Sequence, residues 1–438
     1  MHVNRLHSIV LLMLLLFLCL VSPTKQGQAQ EISAYVSLDQ LVQDMLNQVD
    51  PDRIYTYTGD ISGAWEVTIA GQPYTISTRH ALSGEPVEKA AQYLFEFYEN
   101  LGLQVEYQPF SFQGQTLSNV VAQKEGSVFP ERVFLITSHY DDVPVDGPAP
   151  GADDNASGTV GVMIAAEILS KYDFGCTLRF VNFGAEEYGM IGSQEYAYQA
   201  YCDEEDIQGV LNLDMIAWNS PGSATGMELH SLSSIQGSDE IATTFQNVVT
   251  DYSLDLIPAL ADPITTQSDH SSFWKYNYPA ILVSEDWTDR NPNYHSINDD
   301  LESLEDLNYY TSMVKASIGT LAHMGCLVEA GWGQISGQVV DAKTNMPLPG
   351  ATLQLHNQEW GYTWTTQSDE NGSYQFSAPS GPHILSADDI GYAYQEVDAF
   401  FLQNQTQVKD FEIEAAEEIT LFIPLFANTK KPPPEGCQ

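Results

Sequence analysis

Two hydrophobic patterns divide the chain, and they change over near Gly331. Ahead of that point, short apolar runs alternate with stretches of helical period. Arg132 to Thr137 (RVFLIT), Cys176 to Phe183 (CTLRFVNF), Val210 to Trp218 (VLNLDMIAW) and Pro279 to Ser284 (PAILVS) read as buried strands, and Gly226 to Leu232 adds another. Between them, Ser157 to Leu169, residues 239–252 and Leu304 to Ala330 read as helices. Earlier in the chain, Leu41 to Val49 is amphipathic. Trp65 to Ser77 predicts a hairpin turning at Ala70-Gly71-Gln72-Pro73. Pro86 to Leu101 predicts a helix with Ala90, Leu94 and Phe97 on one stripe, ended by Gly102. Val105 to Phe112 and Leu117 to Gln123 predict strands. Strands alternating with helices indicate an α/β domain.

After Gly331-Trp332-Gly333 the texture is different. Short alternating segments are punctuated by Pro-Gly, Asn-Gly and Ser-Gly-Pro turns, which predicts an all-β sandwich over 334–414. His356 and His383 sit there alone and read as structural or surface residues.

Charged residues collect where the predicted strands end, the edge at which open α/β sheets bind ligands. His139 follows RVFLIT, and the next loop delivers Asp153 within Gly151-Ala152-Asp153-Asp154-Asn155-Ala156-Ser157-Gly158. CTLRFVNF runs into Gly184-Ala185-Glu186-Glu187. Neighbouring side chains at a strand's end point to different sides, so one carboxylate can bind a metal while the other faces a substrate. Asp214 falls inside an apolar run, where an ionised carboxylate costs several kcal/mol unless paired or coordinated. A second loop histidine, His295, lies in Tyr294-His295-Ser296-Ile297-Asn298-Asp299-Asp300. His139, Asp153, Glu187, Asp214 and His295 form a two-histidine, three-carboxylate set, suited to two borderline cations sharing one carboxylate. Glu186 is left as general base. Asp141 is placed to accept the other N–H of the His139 imidazole.

With these residues in hand, the stretch 31–330 resembles the secreted di-zinc aminopeptidases. It carries SHYDD, PGADDNASG, GAEEYGMIGS, NLDMI, SDHSSF and YHSINDD in that family's order. The resemblance implies a phosphorylase/hydrolase-like fold, a mixed, largely parallel sheet sandwiched by helices. It implies two zinc ions, with Asp153 as bridging ligand, His139 and Asp214 on one zinc, and Glu187 and His295 on the other. A hydroxide between the zincs would attack the first peptide carbonyl, with Glu186 as base and peptide or protein N-termini as substrates. It further implies a cis peptide at Asp153-Asp154. Residues that bind the peptide's N-terminus vary in the family; Gln267 and Asp269 lie in the loop expected to supply them. The segment 334–414 resembles the carboxypeptidase regulatory-like, transthyretin-like domain through its G-x-V-x-D opening, Leu348-Pro349-Gly350-Ala351 and the D-E-N-G-x-Y-x-F turn. The partner of that sandwich is not readable.

Two rival readings share features of this sequence. A glutaminyl cyclase shares the fold but uses one zinc. An extracellular binding protein would carry an inert peptidase scaffold. The full ligand set together with Glu186 argues against both.

Length and charge narrow the setting. At 438 residues the chain exceeds one ordinary domain. Lys and Arg number 16 against 59 Asp and Glu, a formal charge of −43, which speaks against nucleic acid and anionic membrane surfaces as partners. Residues 1–29 read as a signal peptide: Arg5, an apolar run from Ile9 to Val21, and small residues at Gly27-Gln28-Ala29. That run is short of the about 20 residues a membrane span needs. A secreted, extracellular protein is expected, with retention at the cell surface as the alternative. Its domains are then 30–330 (catalytic), 334–414 (sandwich) and a tail, 415–438, with a strand-like ITLFIPLF. Cys176, Cys202, Cys326 and Cys437 follow the signal peptide, none in a C-x-x-C pattern. Disulfides are permitted in such a compartment, with Cys176–Cys202 the first pairing to expect.

Overall fold

The structure, a computed structural model, describes residues 38–143, 148–328, 331–358, 360–416 and 437. The expected signal peptide and the ITLFIPLF segment of the tail lie outside the described residues.

In chain order the first domain comprises α1 (Leu38–Leu46), α2 (Pro51–Ser62), β1 (Val67–Ile69), β2 (Gln72–Tyr74), α3 (Glu85–Asn100), β3 (Gln104–Phe112), β4 (Gln115–Lys124), β5 (Phe129–His139) and α4 (Gly158–Leu169). Then come β6 (Cys176–Phe183), α5 (Ile191–Cys202), β7 (Asp206–Leu213), β8 (Gly226–His230), α6 (Ser238–Asp251), β9 (Ile257–Leu260), α7 (His270–Trp274), β10 (Ala280–Glu285) and α8 (Leu307–Met324). Eight of the strands form one mixed sheet in the order β3-β4-β6-β5-β7-β10-β8-β9. At its centre β6, β5, β7 and β10 run parallel. Antiparallel pairs join β3 to β4, β4 to β6, and β10 to β8.

The central strands are buried on both faces, as their unbroken apolar runs require. In β5, Phe134 and Ile136 enter the larger core, with residues of α1 to α4, α6 and α8. Val133 and Leu135 enter a second core with Tyr196 and Ala197 of α5 and Phe273 of α7. Alternation along one strand therefore ties the two helical layers together.

Helix α2 was not evident from apolar periodicity, because Tyr55, Tyr57 and Thr58 blur its stripe. Its boundaries carry the usual signals. The Asp50 side chain accepts from the Asp52 N–H at 3.0 Å, Pro51 opens the first turn, and Gly63 closes the helix at φ 77°. Helix α8 is shorter than Leu304 to Ala330, since Asp306 caps it by accepting from the Tyr309 N–H at 3.0 Å. The SDHSSF stretch, read as part of a loop, supplies all of α7 but its last residue, Trp274. The run Val210 to Trp218 is not one strand: β7 ends at Leu213, and Met215 turns the chain with φ 58°. Asp214 thus emerges at the sheet edge instead of lying within it.

The second domain has β11 (Trp332–Asp341), β12 (Thr352–Asn357), β13 (Tyr362–Gln367), β14 (Ser373–Pro379), β15 (Gly381–Asp388), β16 (Gln395–Phe401), β17 (Thr406–Val408) and β18 (Phe411–Ile413). One sheet runs β14-β11-β17, with β18 also on β11; the other runs β13-β12-β15-β16. Their core includes Ile335, Val339, Leu353, Leu355, Phe376, Leu385 and Phe401. Aromatic packing links the domains: the Phe129 ring centre lies 4.1 Å from that of Tyr362, 6.2 Å from that of Trp360 and 6.1 Å from that of Trp364.

The disulfides correct the expected pairing. Cys176 joins Cys326, just past α8, and Cys202 joins Cys437. Cys176 begins β6, whereas Cys202 ends α5, so the first pair spans the foot of the sheet.

His383, in β15, is buried in the sandwich. Its Nδ1–H donates to the Gly381 carbonyl at 3.1 Å and its Nε2 accepts from the Asn357 amide at 3.2 Å. Burial pushes this imidazole from 6.5 down to about 4, against the Gly381 carbonyl, which favours the charged form. As pH falls, the unfolded chain therefore binds the proton first. The contribution is intact above pH 6.5 and is lost as pH falls to about 4. At 1.36 kcal/mol per pKa unit the upper bound is about 3 kcal/mol. His383→Gln should lose less stability than wild type between pH 7 and 4 in denaturant unfolding. Parallel pH dependences would refute the assignment.

Candidate metal centre

The cluster is built where β5, β6 and β7 end. His139 closes β5, with Nδ1 3.1 Å from the main-chain carbonyl of Asp141. That carbonyl fixes the tautomer, leaving Nε2 to face the cluster. The Asp141 carboxylate was expected in this role, but it lies 3.8 Å from Nδ1. It accepts instead from the Glu186 N–H at 3.0 Å and so holds the turn that presents Glu186 and Glu187. In that turn Ala185 adopts φ 57°. A Cβ at Gly184 would meet the Tyr140 hydroxyl at 2.9 Å.

The structure places Asp154, not Asp153, among the histidines. Asp154 Oδ1 lies 3.4 Å from His139 Nε2, and Oδ2 lies 3.2 Å from His295 Nε2. Asp153 turns the other way. Its oxygens accept from the Ala217 N–H and the Asn291 amide, each at 3.0 Å, and its neighbour is Glu285. Adjacent residues on an irregular loop face opposite sides, and the spacing alone does not tell which faces inward. The cis peptide is likewise displaced by one residue, to Asp154-Asn155.

This loop is held from several directions. Asp299 accepts from the N–H groups of Asp153 at 3.1 Å and Asp154 at 3.0 Å. Asn155 donates to the Leu213 carbonyl at 2.9 Å and accepts from the Gly158 N–H at 2.8 Å. Ser157 Oγ donates to the Asp153 carbonyl, and Thr159 Oγ1 to the His139 carbonyl. A Cβ at Gly158 would meet the Leu213 carbonyl oxygen at 2.4 Å, so the α4 terminus packs against β7 only with glycine there. Beneath, the buried guanidinium of Arg79 donates to the carbonyls of Tyr140, Ile61, Pro150 and Gly151.

The remaining members complete two overlapping groups. Asp214 Oδ1 lies 3.3 Å from His139 Nε2, and its Oδ2 accepts from Ser268 Oγ at 2.6 Å. Glu187 Oε2 lies 3.0 Å from His295 Nε2. His139, Asp154 and Asp214 thus offer one set of converging atoms, and Asp154, Glu187 and His295 another. Glu186 converges with His139 and Glu187. Asp269, named above for its loop, is fully buried beside Glu186 and Asp214.

Charge crowding dominates the electrostatics. Burial raises Glu187 well above the ordinary carboxylate range, and Asp154 adds to this, while His295 and His139 oppose it. Burial raises Glu186 likewise, opposed by His139 and reinforced by Asp269. Asp269 is pushed up to about 7, first by burial. Burial disfavours charge on His139, but Asp214 outweighs it and the imidazole is raised well above 6.5. Glu187 Oε1 is buried without a hydrogen-bond partner. Imidazoles and carboxylates in these two sets are ligands that zinc takes, and a buried, unsatisfied carboxylate oxygen fits a cation in contact with it.

Residues 119–316 match peptidase family M28, and residues 334–414 match the carboxypeptidase regulatory-like domain. The chain therefore carries an M28 peptidase domain followed by a carboxypeptidase regulatory-like domain. Leucine aminopeptidase 2 of Arthroderma otae is 33% identical over 177 residues, covering 39% of this chain and 34% of that protein. The chain thus spans about a third of the length of that curated relative. Among solved structures, the Legionella pneumophila LapA aminopeptidase matches with a TM-score of 0.56 at 20% identity, over 68% of this chain and 78% of LapA. A glutaminyl cyclase from Fimbriiglobus ruber matches with a TM-score of 0.51 at 19% identity, over 63% of this chain and 95% of that one. These likenesses concern the fold.

The position of the two aspartates is directly testable. Asp154→Asn should weaken zinc retention by at least roughly tenfold in chelator competition, and Asp153→Asn by much less. The reverse order would return Asp153 to the metal.

Proposed function

We propose that the protein is a secreted, zinc-dependent aminopeptidase that removes N-terminal residues from peptides. One observation carries this reading: the two oxygens of Asp154 face two different histidines, at 3.4 and 3.2 Å. The ligands then divide into two sets that share only Asp154. His139 and Asp214 would hold one zinc, Glu187 and His295 the other. Zinc bound there would supply Lewis acidity toward the scissile carbonyl and make water a stronger acid.

The chain's own residues do the rest. Glu186 stands beside the ligands without belonging to either set. It takes a proton from the attacking water and passes it to the departing amine, so it must be able both to hold and to release a proton near neutral pH. Its burial, which raises it well above the ordinary carboxylate range, favours that role. Asp141 holds the Glu186 main chain in place and its carbonyl orients His139. Asp269, adjacent to Glu186, offers a carboxylate where a peptide's terminal ammonium would sit.

Export is supported by the apolar run at the N-terminus and by two disulfides, which persist in oxidising compartments. The cyclase fold likeness keeps a single-zinc cyclase as the alternative; five converging ligands and an apportioned Asp154 speak for the hydrolase.

Zinc per chain and release of amino acids from a mixed set of aminoacyl-anilides, wild type against Glu186→Gln, test the reading. Two zincs in both proteins are expected, with turnover in the variant lower by roughly 10²- to 10⁴-fold. One zinc, with cyclisation of N-terminal glutamine and no release, would replace it with the cyclase. A metal-free chain without turnover would leave a binding protein.

A further inference from the structure

In a chain with 59 acidic and 16 basic side chains, a guanidinium beside the cluster that forms no ion pair with any described residue is conspicuous. Arg290 is such a group. Its guanidinium carbon lies 5.0 Å from the ring centre of Trp287 and 5.0 Å from that of Tyr294. Those two rings meet edge to face at 5.7 Å. Tyr294 in turn stacks on His295, with centroids 3.7 Å apart and planes inclined by 20°. The series runs outward: Glu187 is nearly buried, His295 is partly exposed, and Trp287 and Arg290 are exposed. The guanidinium therefore lies within roughly 9 Å of the His295 ring, the span of two to three extended residues.

The segment that carries Arg290 is anchored. The buried Asn291 donates its N–H to Glu285 at 2.9 Å, and its amide to Asp153 at 3.0 Å and Asp299 at 3.3 Å. Asp286 accepts from the Thr288 N–H at 2.8 Å. The residues that hold the Asp154 loop thus also fix where Arg290 stands.

We propose that Arg290 recognises the C-terminal carboxylate of di- and tripeptide substrates, an inference that rests on the aminopeptidase reading. A peptide whose first carbonyl is at the cluster runs outward, and the carboxylate of a short one ends within reach of this guanidinium. The two rings hold the guanidinium carbon without accepting its N–H groups, which stay free to make bidentate contact with a carboxylate. The surrounding surface, with its large negative charge, repels free carboxylates. An unpaired arginine offsets that repulsion at one point.

Steady-state kinetics on a dipeptide and a tripeptide, each as free acid and as C-terminal amide, with an aminoacyl-anilide as reference, test this. In the wild type the free acids should have the lower KM, by roughly three- to tenfold for one exposed charge-assisted contact. Arg290→Gln should raise KM for the free acids alone, with kcat and the anilide unchanged, and Arg290→Lys should restore part of the difference. Equal KM for acids and amides in the wild type would overturn the proposal. So would a KM rise in Arg290→Gln that is the same for both, which marks a purely structural stack. Absence of turnover on every substrate, the anilide included, would overturn the aminopeptidase reading, and this inference with it.

Discussion

Mutual repulsion among buried carboxylates is the constraint around which this molecule is arranged. Asp154, Asp214, Glu186, Glu187 and Asp269 converge, faced by His139 and His295. Taking such charges out of water costs several kcal/mol each unless they are paired or coordinated. Arg79 supplies a full positive charge below the cluster, near Asp142, Asp299, Asp154 and Asp141. It is itself spent on four backbone carbonyls. A bound cation would supply the balance. The arrangement, unfavourable alone, would become favourable when loaded, which is how binding energy becomes folding energy in metalloproteins.

Holding the charges together needs a scaffold that cannot relax, and parallel strands provide it. β5, β6 and β7 end side by side, so three consecutive strand ends deliver His139, the Glu186–Glu187 pair and Asp214 to one place. Side chains and main-chain groups then lock the intervening loops. Asp299 takes the N–H groups of Asp153 and Asp154, Asn291 bridges Asp153 and Asp299, and Asn155 fastens the start of α4 to β7. Most of these partners are buried, where a missing hydrogen bond costs more than a formed one contributes. Precision at the cluster is therefore enforced by the cost of any other arrangement.

Much of this was legible in the sequence because its signals are local. Double-sided apolar runs mark the central strands, and His139, Glu186, Glu187, Asp214 and His295 stand at strand ends or in the loops that follow. What escaped depends on geometry that composition does not encode. Asp153 and Asp154 are chemically identical, and only the fold of their loop decides which faces inward. Asp214 was placed inside a strand because the apolar run continues past it; the turn at Met215 ends the strand. Helix α2 lacks a clean stripe, though Asp50, Pro51 and Gly63 announce its limits. The disulfide partners lie 150 and 235 residues apart, a separation that only the tertiary fold bridges. Asn291 and Asp299 carry no motif of their own and are found through what they hold.

The same strand geometry limits what the second domain can do. Phe129, which packs against Trp360, Tyr362 and Trp364, begins β5, and His139 ends it. An eleven-residue strand is roughly 33–36 Å long at about 3.3 Å per residue. Cys176, bonded to Cys326, also begins its strand, beside Phe129. The sandwich and this disulfide thus grip the foot of the sheet, at the opposite end from the cluster. Among the described residues, the sandwich side chains that pack on Phe129, namely Trp360, Tyr362 and Trp364, do so at that foot. Any influence of the sandwich on the cluster would therefore pass through the fixing of β5 and α8.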